Sequence, residues 1–405
     1  MKILHTADWH IGKVLHKHEL REELMLFFDW LIDTIGKESI DVLLVSGDVF
    51  DLANPAVKDR ELYYQFLSRL LKYDIQVIIT GGNHDAVGLL NAPQKILQHL
   101  NISIIGGATD NIEDELIPAI GSDGNIELIV AAVPFLRDRN LRNKNTDNQY
   151  KNRIEAIRDG IRSHYTQLLD LCLSKYPNIP AIAMGHLYAS GSITSESERD
   201  IHIGNAAAVD SAIFSENFSY VALGHIHRPQ IVGNNPYIRY SGSPIALSFS
   251  ERKDTKSVII INVENGTATE PQILTVPKYR ELFKIKGTEQ EVIEVLKDFK
   301  PEYDLPSFVE LDVIEEKFNP LILSRVDSLV AQYDNNDSFK ILKSRVTFRE
   351  GGKDTSELFS EGTNIDDITP LDVFDKLLEQ RNVDIQNIQV LQDAFRELLE
   401  ETLES

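Results

Sequence analysis

The stretch QVIITGGNHD, residues 76–85, joins a continuous apolar run to a cluster of polar side chains. The three consecutive apolar residues at 77–79 leave no solvated face, which is typical of a strand buried on both sides. The two glycines that follow allow a tight turn. The stretch therefore predicts a buried strand with Asn83, His84 and Asp85 at its carboxyl end.

Four other segments within residues 1–230 share this pattern, in which a short apolar run precedes Asp or His. The four clusters are Asp8-Trp9-His10, Gly47-Asp48, Gly185-His186 and Gly224-His225-Ile226-His227. Ligand sites in α/β sheets lie beyond the carboxyl ends of the strands, so we expect the five clusters to converge on one site. A single Gly-His or Asp-x-His pair is more often a structural turn, but five in series favour a functional site.

Amphipathic stretches separate these apolar runs, and the alternation predicts an α/β architecture. The stretches are Glu19–Ile35, Lys58–Leu71 and Ile154–Leu173. We expect a main domain at residues 1–276 and a small α+β capping domain at 277–350. An acidic linker at 351–367 and a helical segment at 368–405 follow, with helices at 370–381 and 385–403.

Composition narrows the class of protein further. The 405 residues are 42% hydrophobic and 26% charged, which excludes a mostly disordered chain. No apolar run is long enough to span a bilayer, and the first residues do not resemble a signal peptide. The one cysteine, Cys172, excludes an intramolecular disulfide and favours a reducing, cytoplasmic setting.

The net charge of −22 argues against a protein that coats DNA through Lys and Arg. It does not argue against a nucleic-acid enzyme, because bound metal ions can supply local positive charge. The acidic excess is also uneven, since residues 351–405 hold 14 acids and 4 bases.

The residue types in the five clusters fit divalent transition metals. Imidazole, carboxylate and amide groups together favour Mn, Fe or Zn over Ca or Mg. The spacing of Asp8 with His10, and of His225 with His227, would place each pair on one side of an extended segment. The two oxygens of Asp48 can bridge two ions, and two ions about 3.5–4 Å apart can hold a phosphodiester and activate water.

The series D-x-H, G-D, G-N-H-D, G-H and G-H-x-H resembles that of the calcineurin-like metallophosphoesterases. Within that superfamily, longer segments resemble the nuclease subunits of bacterial DNA repair complexes. These segments are ILHTADWHIGK, GDVFD, TGGNHD, GHLYASGSITSESER, YVALGHIHRPQ and RYSGSPIALSFSE. The resemblance is strong over residues 1–285 and implies a four-layer sandwich of two β-sheets flanked by helices.

The resemblance also implies roles for individual residues. One Mn²⁺ would be held by Asp8, His10 and His227, and the other by Asn83, His186 and His225, with Asp48 bridging both. His84 would contact the scissile phosphate and assist the leaving oxygen, and Asp85 would orient His84. Archaeal and eukaryotic relatives usually carry His three positions after the bridging Asp; this chain has Asp51 there, which leaves open any second catalytic histidine.

The activity implied is that of a Mn²⁺-dependent DNA nuclease with 3′–5′ double-strand exonuclease and single-strand or hairpin endonuclease activity. Such a subunit would form a homodimer through helices at 58–71 and 89–100, and its C-terminal helices would grip a coiled-coil ATPase subunit. The basic residues expected to contact DNA are Lys13, Arg137, Arg139, Arg142 and Lys144. A solvated loop is the alternative interpretation of the last four.

Two other functions stay open at this point. The first is a phosphodiesterase for small molecules built on the same metal core, and the long extension after the core argues against it. The second is a scaffold that tethers DNA ends without cleaving them. The complete set of candidate ligands argues against the scaffold, since a scaffold has no use for His84.

Overall fold

The fold is described from a computed structural model. It describes residues 1–141, 150–202, 206–264, 266–317, 319–334 and 336–349, together with residues 374, 378, 391–392 and 394–395. The predicted linker at 351–367, and the predicted helices at 370–381 and 385–403 apart from those six residues, lie outside this part.

The described residues form strands and helices in alternation. The strands are β1 (Lys2–Thr6), β2 (Val14–Leu15), β3 (His18–Glu19), β4 (Val42–Ser46), β5 (Gln76–Thr80), β6 (Ile102–Ile105), β7 (Leu116–Ile120), β8 (Ile126–Ala132), β9 (Ala181–His186), β10 (Phe218–Gly224), β11 (Gln230–Val232), β12 (Asn235–Tyr240), β13 (Ser257–Glu264), β14 (Thr267–Ala268), β15 (Gln272–Thr275), β16 (Arg280–Gly287), β17 (Leu305–Glu315) and β18 (Phe339–Phe348). The helices are α1 (Arg21–Glu38), α2 (Val57–Leu70), α3 (Val87–Asn91), α4 (Gln94–Gln98), α5 (Asp138–Leu141), α6 (Tyr150–Lys175), α7 (Glu289–Lys297) and α8 (Pro320–Gln332). Within these described ranges, no helix has the length and apolarity needed to cross a membrane.

Two large sheets carry the strands that precede the five polar clusters. The first sheet has the order β14-β13-β1-β4-β5-β6, with β15 also paired to β13. The second has the order β11-β12-β10-β9-β8-β7. Strands β1, β4, β5 and β6 run parallel to one another, as do β8, β9 and β10. Their carboxyl ends therefore lie at one edge of each sheet, as expected for an α/β protein.

The two sheets pack face to face because successive residues of each strand point to opposite faces. Ile3, Leu44 and Ile78 of the first sheet share one buried core with Val130 and Ile182 of the second. The neighbouring residues on the same strands belong to two further cores.

Helices cover the outer faces of both sheets. Leu43 and Ile79 of the first sheet pack with Phe28 of α1 and Phe66 of α2. In the second sheet, residues such as Ala183 pack with the apolar face of α6, which includes Ile157, Ile161, Tyr165 and Leu168. The result is the order helix, sheet, sheet, helix, and the predicted four-layer sandwich is confirmed.

Two compact units divide the chain. The first comprises residues 1–285, 295–311 and 330–344, and the second comprises 286–294, 312–329 and 345–405. The predicted alternation of strand and helix after residue 277 is present as β16, α7, β17, α8 and β18, and the three strands form a sheet of order β16-β17-β18. In the second unit, Arg325 of α8 pairs with Glu289 of α7 at 2.5 Å. The boundaries at 276/277 and 350/351 stay predictions.

Candidate metal centre

The five polar clusters converge at the carboxyl ends of β1, β4, β5, β9 and β10. They bring together the seven predicted ligands, Asp8, His10, Asp48, Asn83, His186, His225 and His227. All of these except the partly exposed Asn83 are buried. A group of carboxylates and imidazoles in one buried place is costly unless each is paired or binds a cation.

The backbone reaches this site in an unusual conformation. Asp8, His10, Asp48 and His225 all have positive φ, at 54°, 45°, 47° and 101°. This region is unfavourable for residues with a Cβ atom, and such strain concentrates at functional sites. The expectation that each pair, Asp8 with His10 and His225 with His227, lies on an extended segment is therefore wrong. Left-handed turns direct these side chains instead, and the His10 N–H donates to the Asp48 carbonyl at 3.0 Å.

Two of the glycines before the clusters are required by close approach. A Cβ atom at Gly47, where φ is 84°, would lie 2.2 Å from Nδ1 of His186. A Cβ atom at Gly224 would lie 1.8 Å from the carbonyl oxygen of Ser46. Both distances are far below van der Waals contact, so any larger residue would push apart the strands that carry the ligands.

One half of the site is formed by Asp8, His10 and His227, whose ligand atoms lie within 4.8 Å of one another. Nδ1 of His10 lies 3.1 Å from the Asp51 carboxylate, which can only accept, so in the neutral ring Nε2 carries a lone pair. This Nε2 lies 3.1 Å from Nε2 of His227. Two ring nitrogens that face each other so closely fit a shared cation.

The other half is formed around Asn83. Its Oδ1 lies 2.9 Å from Nε2 of His186 and 3.1 Å from Nδ1 of His225. Nδ1 of His186 faces the carbonyl oxygen of Ser46 at 3.1 Å, so in the neutral ring the proton sits there and Nε2 is again an acceptor. Oδ1 of Asn83 and Nε2 of His186 are therefore two acceptors that face each other, and a cation between them would satisfy both.

Asp48 lies between the two halves. Its Oδ2 is 3.5 Å from Nε2 of His10 and 3.4 Å from Nε2 of His186. Its Oδ1 accepts the backbone N–H of His84 at 2.9 Å. One carboxylate oxygen is thus anchored while the other is directed at both halves, which suits a bridging ligand.

The electrostatics of the site favour bound positive charge. Burial raises the pKa of Asp8 to about 7, and its Oδ2 has no hydrogen-bond partner among the described residues. Burial opposes the charged form of His186, yet the Asp48 carboxylate raises the pKa of that ring to about 9. Burial lowers the pKa of His225 well below its usual value, and the Nε2 of this ring also lacks a partner within that part of the chain. These residues fit divalent metal ions.

His84 lies beside the proposed ligands. Its Nδ1 is 2.7 Å from the carbonyl oxygen of Asp51, which makes Nδ1 the donor, and its Nε2 is 4.0 Å from Oδ2 of Asp48. Burial lowers the pKa of His84 to about 4. The ring therefore presents Nε2 to the site while the Asp51 carbonyl holds its other nitrogen.

Asp85 occupies a different place from the one expected. Its carboxylate accepts the backbone N–H groups of Val49, Phe50 and Gly82 at 3.1, 3.0 and 2.9 Å. Burial raises its pKa to about 6. Asp85 thus joins the loops after β4 and β5, and the role of orienting the His84 ring belongs to the Asp51 carbonyl. The difference arises because three amides converge on Asp85, which sequence spacing does not reveal.

Two of the five predicted DNA-contacting residues lie next to the site. Lys13 pairs with the Asp51 carboxylate at 3.2 Å, and Arg137 donates to the Asp85 carbonyl at 3.2 Å, so both lie next to the site. Arg139 is exposed on α5. Arg142 and Lys144 lie outside the described residues. Contact of any of these with DNA stays a prediction.

Four residues that sequence reasoning left without a role surround His227. They are Ser197, Glu198, Glu251 and Lys256, which contact its ring or its backbone. The first three lie in segments that carried the family resemblance. That resemblance was the only sign in the sequence that these residues have a function. Nothing in the spacing showed which ligand they would contact.

Comparisons with known proteins agree with the family resemblance of the sequence motifs. The family model described as calcineurin-like phosphoesterase matches residues 1–229. The SbcD subunit of the nuclease SbcCD from Escherichia coli K12 is 31% identical to this chain, over 81% of this chain and 82% of its own length. The corresponding protein of Rhodobacter capsulatus is 34% identical over 69% and 70%. That of Bacillus subtilis is 32% identical over 71% and 72%.

Proposed function

This chain belongs to the calcineurin-like phosphoesterases and, within them, to the SbcD subunits of the SbcCD nucleases, and we propose that it hydrolyses DNA phosphodiester bonds with two metal ions, together with the ATPase SbcC. The observation that carries the proposal is the convergence of seven imidazole, carboxylate and amide ligands, with Asp48 between the two halves and His84 beside them.

Metal binding is divided between the two halves of the site. Asp8, His10 and His227 would hold one ion, Asn83, His186 and His225 the other, and Asp48 both. We propose Mn²⁺, which suits a mixed set of imidazole and oxygen ligands. Such a pair of ions supplies an activated water and stabilises the leaving oxygen when it is bound.

His84 contributes the proton-handling group. The Asp51 carbonyl holds Nδ1–H at 2.7 Å, so Nε2 is the nitrogen that exchanges a proton with the substrate. Its place beside Asp48 supports contact with a phosphate oxygen or with the leaving oxygen. Lys13 and Arg137, next to the same loops, are proposed to meet the DNA backbone.

The proposed activities are 3′–5′ exonuclease on double-stranded DNA and endonuclease on single strands and hairpins, in DNA repair, recombination and replication. The segments around His186 and His227, which resemble the nuclease subunits, support this substrate. We place the activity in the cytoplasm, since the one cysteine, Cys172, is buried and free.

A comparison of substrates tests this function. With Mn²⁺, ATP and an SbcC-type partner, we expect linear duplex and hairpin DNA to be degraded at least about tenfold more efficiently than bis(p-nitrophenyl) phosphate, because remote contacts with the DNA backbone add transition-state binding. The measurement is kcat/KM for each substrate at matched metal. Efficient cleavage of the small diester without cleavage of DNA would instead identify a small-molecule phosphodiesterase.

The outer face of α2 and α4 supports a homodimer within a larger complex. Several residues that carried this prediction, such as Leu62, Phe66 and Leu97, pack into the chain's own core. Other apolar side chains of the same region are exposed, namely Val57, Tyr64, Leu71, Ile96 and Leu100. We propose that this exposed set forms the contact with a second copy, since large exposed apolar patches mark interaction sites.

The helical segment at 368–405 is proposed to bind SbcC, after the capping domain at 277–350 and the linker at 351–367. Among its described residues, the rings of Phe374 and Phe395 stack with centroids 4.1 Å apart, and Leu378 is buried. These contacts support a pair of helices that face each other. Apolar residues framed by acidic ones suit a groove on a more basic partner.

Deletion of residues 366–405 should weaken binding to SbcC by at least about tenfold, or about 1.4 kcal/mol, and remove the ATP-stimulated cleavage of duplex DNA. Titration calorimetry and a nuclease assay would measure the two effects. Because the metal ligands lie between residues 8 and 227, the truncated chain should still bind Mn²⁺.

Light scattering provides the control for this deletion. The full and truncated chains should both have the mass of a dimer, because the proposed contact helices lie between residues 57 and 100. An unchanged affinity for SbcC would refute the tail as the docking element. A monomer at high micromolar concentration for the full chain would count against the dimer.

A further inference from the structure

His227 is held on its backbone as well as on its ring. Its N–H donates to Oε1 of Glu198 at 2.9 Å, and its carbonyl oxygen accepts from Nζ of Lys256 at 2.9 Å. Its Nδ1 lies 2.6 Å from Oγ of Ser197. Three groups from two segments distant from His227 in the sequence therefore define the position of one proposed metal ligand.

The direction of the hydrogen bonds follows from the chemistry of the groups. Oγ of Ser197 is also hydrogen-bonded to Oε1 of Glu251, and a carboxylate can only accept. We assign the serine proton to Glu251, because an ionised carboxylate is a stronger acceptor than Oγ of Ser195, which also lies 2.7 Å from Oγ of Ser197. The serine oxygen then accepts the Nδ1–H of His227. This order places the ring proton on Nδ1 and leaves the lone pair on Nε2, the nitrogen that faces His10 at 3.1 Å.

Lys256 forms a buried ion pair with Glu251. Both side chains are buried, and Nζ of Lys256 lies 2.5 Å from Oε2 of Glu251. The same ammonium also donates to Ser243 at 2.9 Å. An ionised Glu251 is the acceptor that the serine proton requires.

We infer that Ser197, Glu251 and Lys256 form a positioning relay that sets the tautomer and ring orientation of His227 for metal binding. The inference rests on the proposed function, in which His227 is a ligand. In many metal sites a carboxylate accepts a hydrogen bond from the histidine nitrogen that does not bind the metal. Losing that hydrogen bond typically lowers the metal affinity by about 10–100-fold. Here a hydroxyl group lies between the carboxylate and the imidazole. The relay assigns a role to residues of the segments 185–199 and 239–251.

Serine substitutions test the relay with little risk to folding, since Ser197 is only partly buried. Ser197→Ala should weaken one of the two Mn²⁺ sites about tenfold and leave the other unchanged. Ser197→Thr retains the hydroxyl group and should stay within about twofold of the unchanged protein. Ser250→Ala is the matched control, because Ser250 bonds to Ser248 and to the N–H of Glu196 and not to His227. Titration calorimetry gives both affinities.

A second measurement needs no metal. In metal-free protein with ¹⁵N-labelled histidine, the His227 ring should be the Nδ1–H tautomer, and Ser197→Ala should shift it toward a mixture. A merely structural serine would leave the tautomer unchanged.

Three results would overturn the relay. One is a Ser197→Ala protein with both Mn²⁺ affinities and the tautomer unchanged, and another is an equal loss in Ser250→Ala. If the unsubstituted protein binds no Mn²⁺, the two-metal function fails and the relay fails with it. The unsubstituted protein thus distinguishes failure of the function from failure of the relay alone.

Discussion

Replacement of His84 by alanine is expected to slow Mn²⁺-supported DNA hydrolysis by about 10²–10⁴-fold while both metal sites stay filled. The imidazole is removed from its place 4.0 Å from Oδ2 of Asp48, so proton exchange with the substrate is lost. The backbone N–H of residue 84, which donates to Oδ1 of Asp48, remains in the variant. Asp48 therefore keeps its anchor, and the metal site keeps its geometry.

The measurement combines a nuclease assay with metal analysis of the same preparation. His164→Gln serves as the control, because His164 lies on α6, where its Nε2 pairs with Glu115 at 2.6 Å and with none of the proposed ligands, and the change should leave both results unchanged. Near-normal cleavage by His84→Ala would refute the role in proton exchange. Loss of metal would instead make His84 a ligand, which its proximity to His10 and Asp48 also permits geometrically.

Asp48→Ala should lose both metal ions, and with them all measurable hydrolysis. The carboxylate is the group directed at both halves of the site, with Oδ2 within 3.5 Å of ring nitrogens of His10 and His186. Burial opposes its ionised form, but the neighbouring His186 holds the pKa of Asp48 well below its usual range. Asp48 is therefore ionised at neutral pH and is available as a metal ligand.

Metal stoichiometry after dialysis measures the effect, and Asp33→Ala on the exposed side of α1 is the matched control. Asp48→Asn should bind metal more weakly than the unchanged protein, since an amide keeps the shape but removes the charge. Two Mn²⁺ ions per chain in Asp48→Ala would contradict the bridging role. One retained ion would show that the halves bind independently.

The amino-acid sequence alone predicted the α/β architecture and the convergence of the five polar clusters, and the family resemblance implied the four-layer sandwich. This was possible because a strand buried on both faces must be apolar at consecutive positions, as at 77–79 and in β4. The glycines beside the ligands are also visible in the sequence, and the structure gives the reason: a Cβ atom would collide with the His186 ring at Gly47 and with the Ser46 carbonyl at Gly224. Such requirements are local, and each leaves its mark in a few adjacent residues.

The α2 helix shows what a local sequence pattern does not predict. Its apolar residues at helical spacing predicted a stripe, but the spacing could not say which surface covers the stripe. In the structure Leu62 and Phe66 pack in the chain's own core, and Tyr64 is among the exposed residues.

Only the tertiary structure showed which groups contact and orient the side chains of the site. The Asp51 carbonyl orients His84, Asp85 binds three backbone amides, and Ser197 joins His227 to Glu251. The left-handed turns at Asp8 and His10 were equally hidden. A hydrogen bond depends on distances of about 3 Å and on direction, and these are set when residues far apart in the chain pack together. The residue types thus determined what chemistry is available, and packing determined which atom faces which.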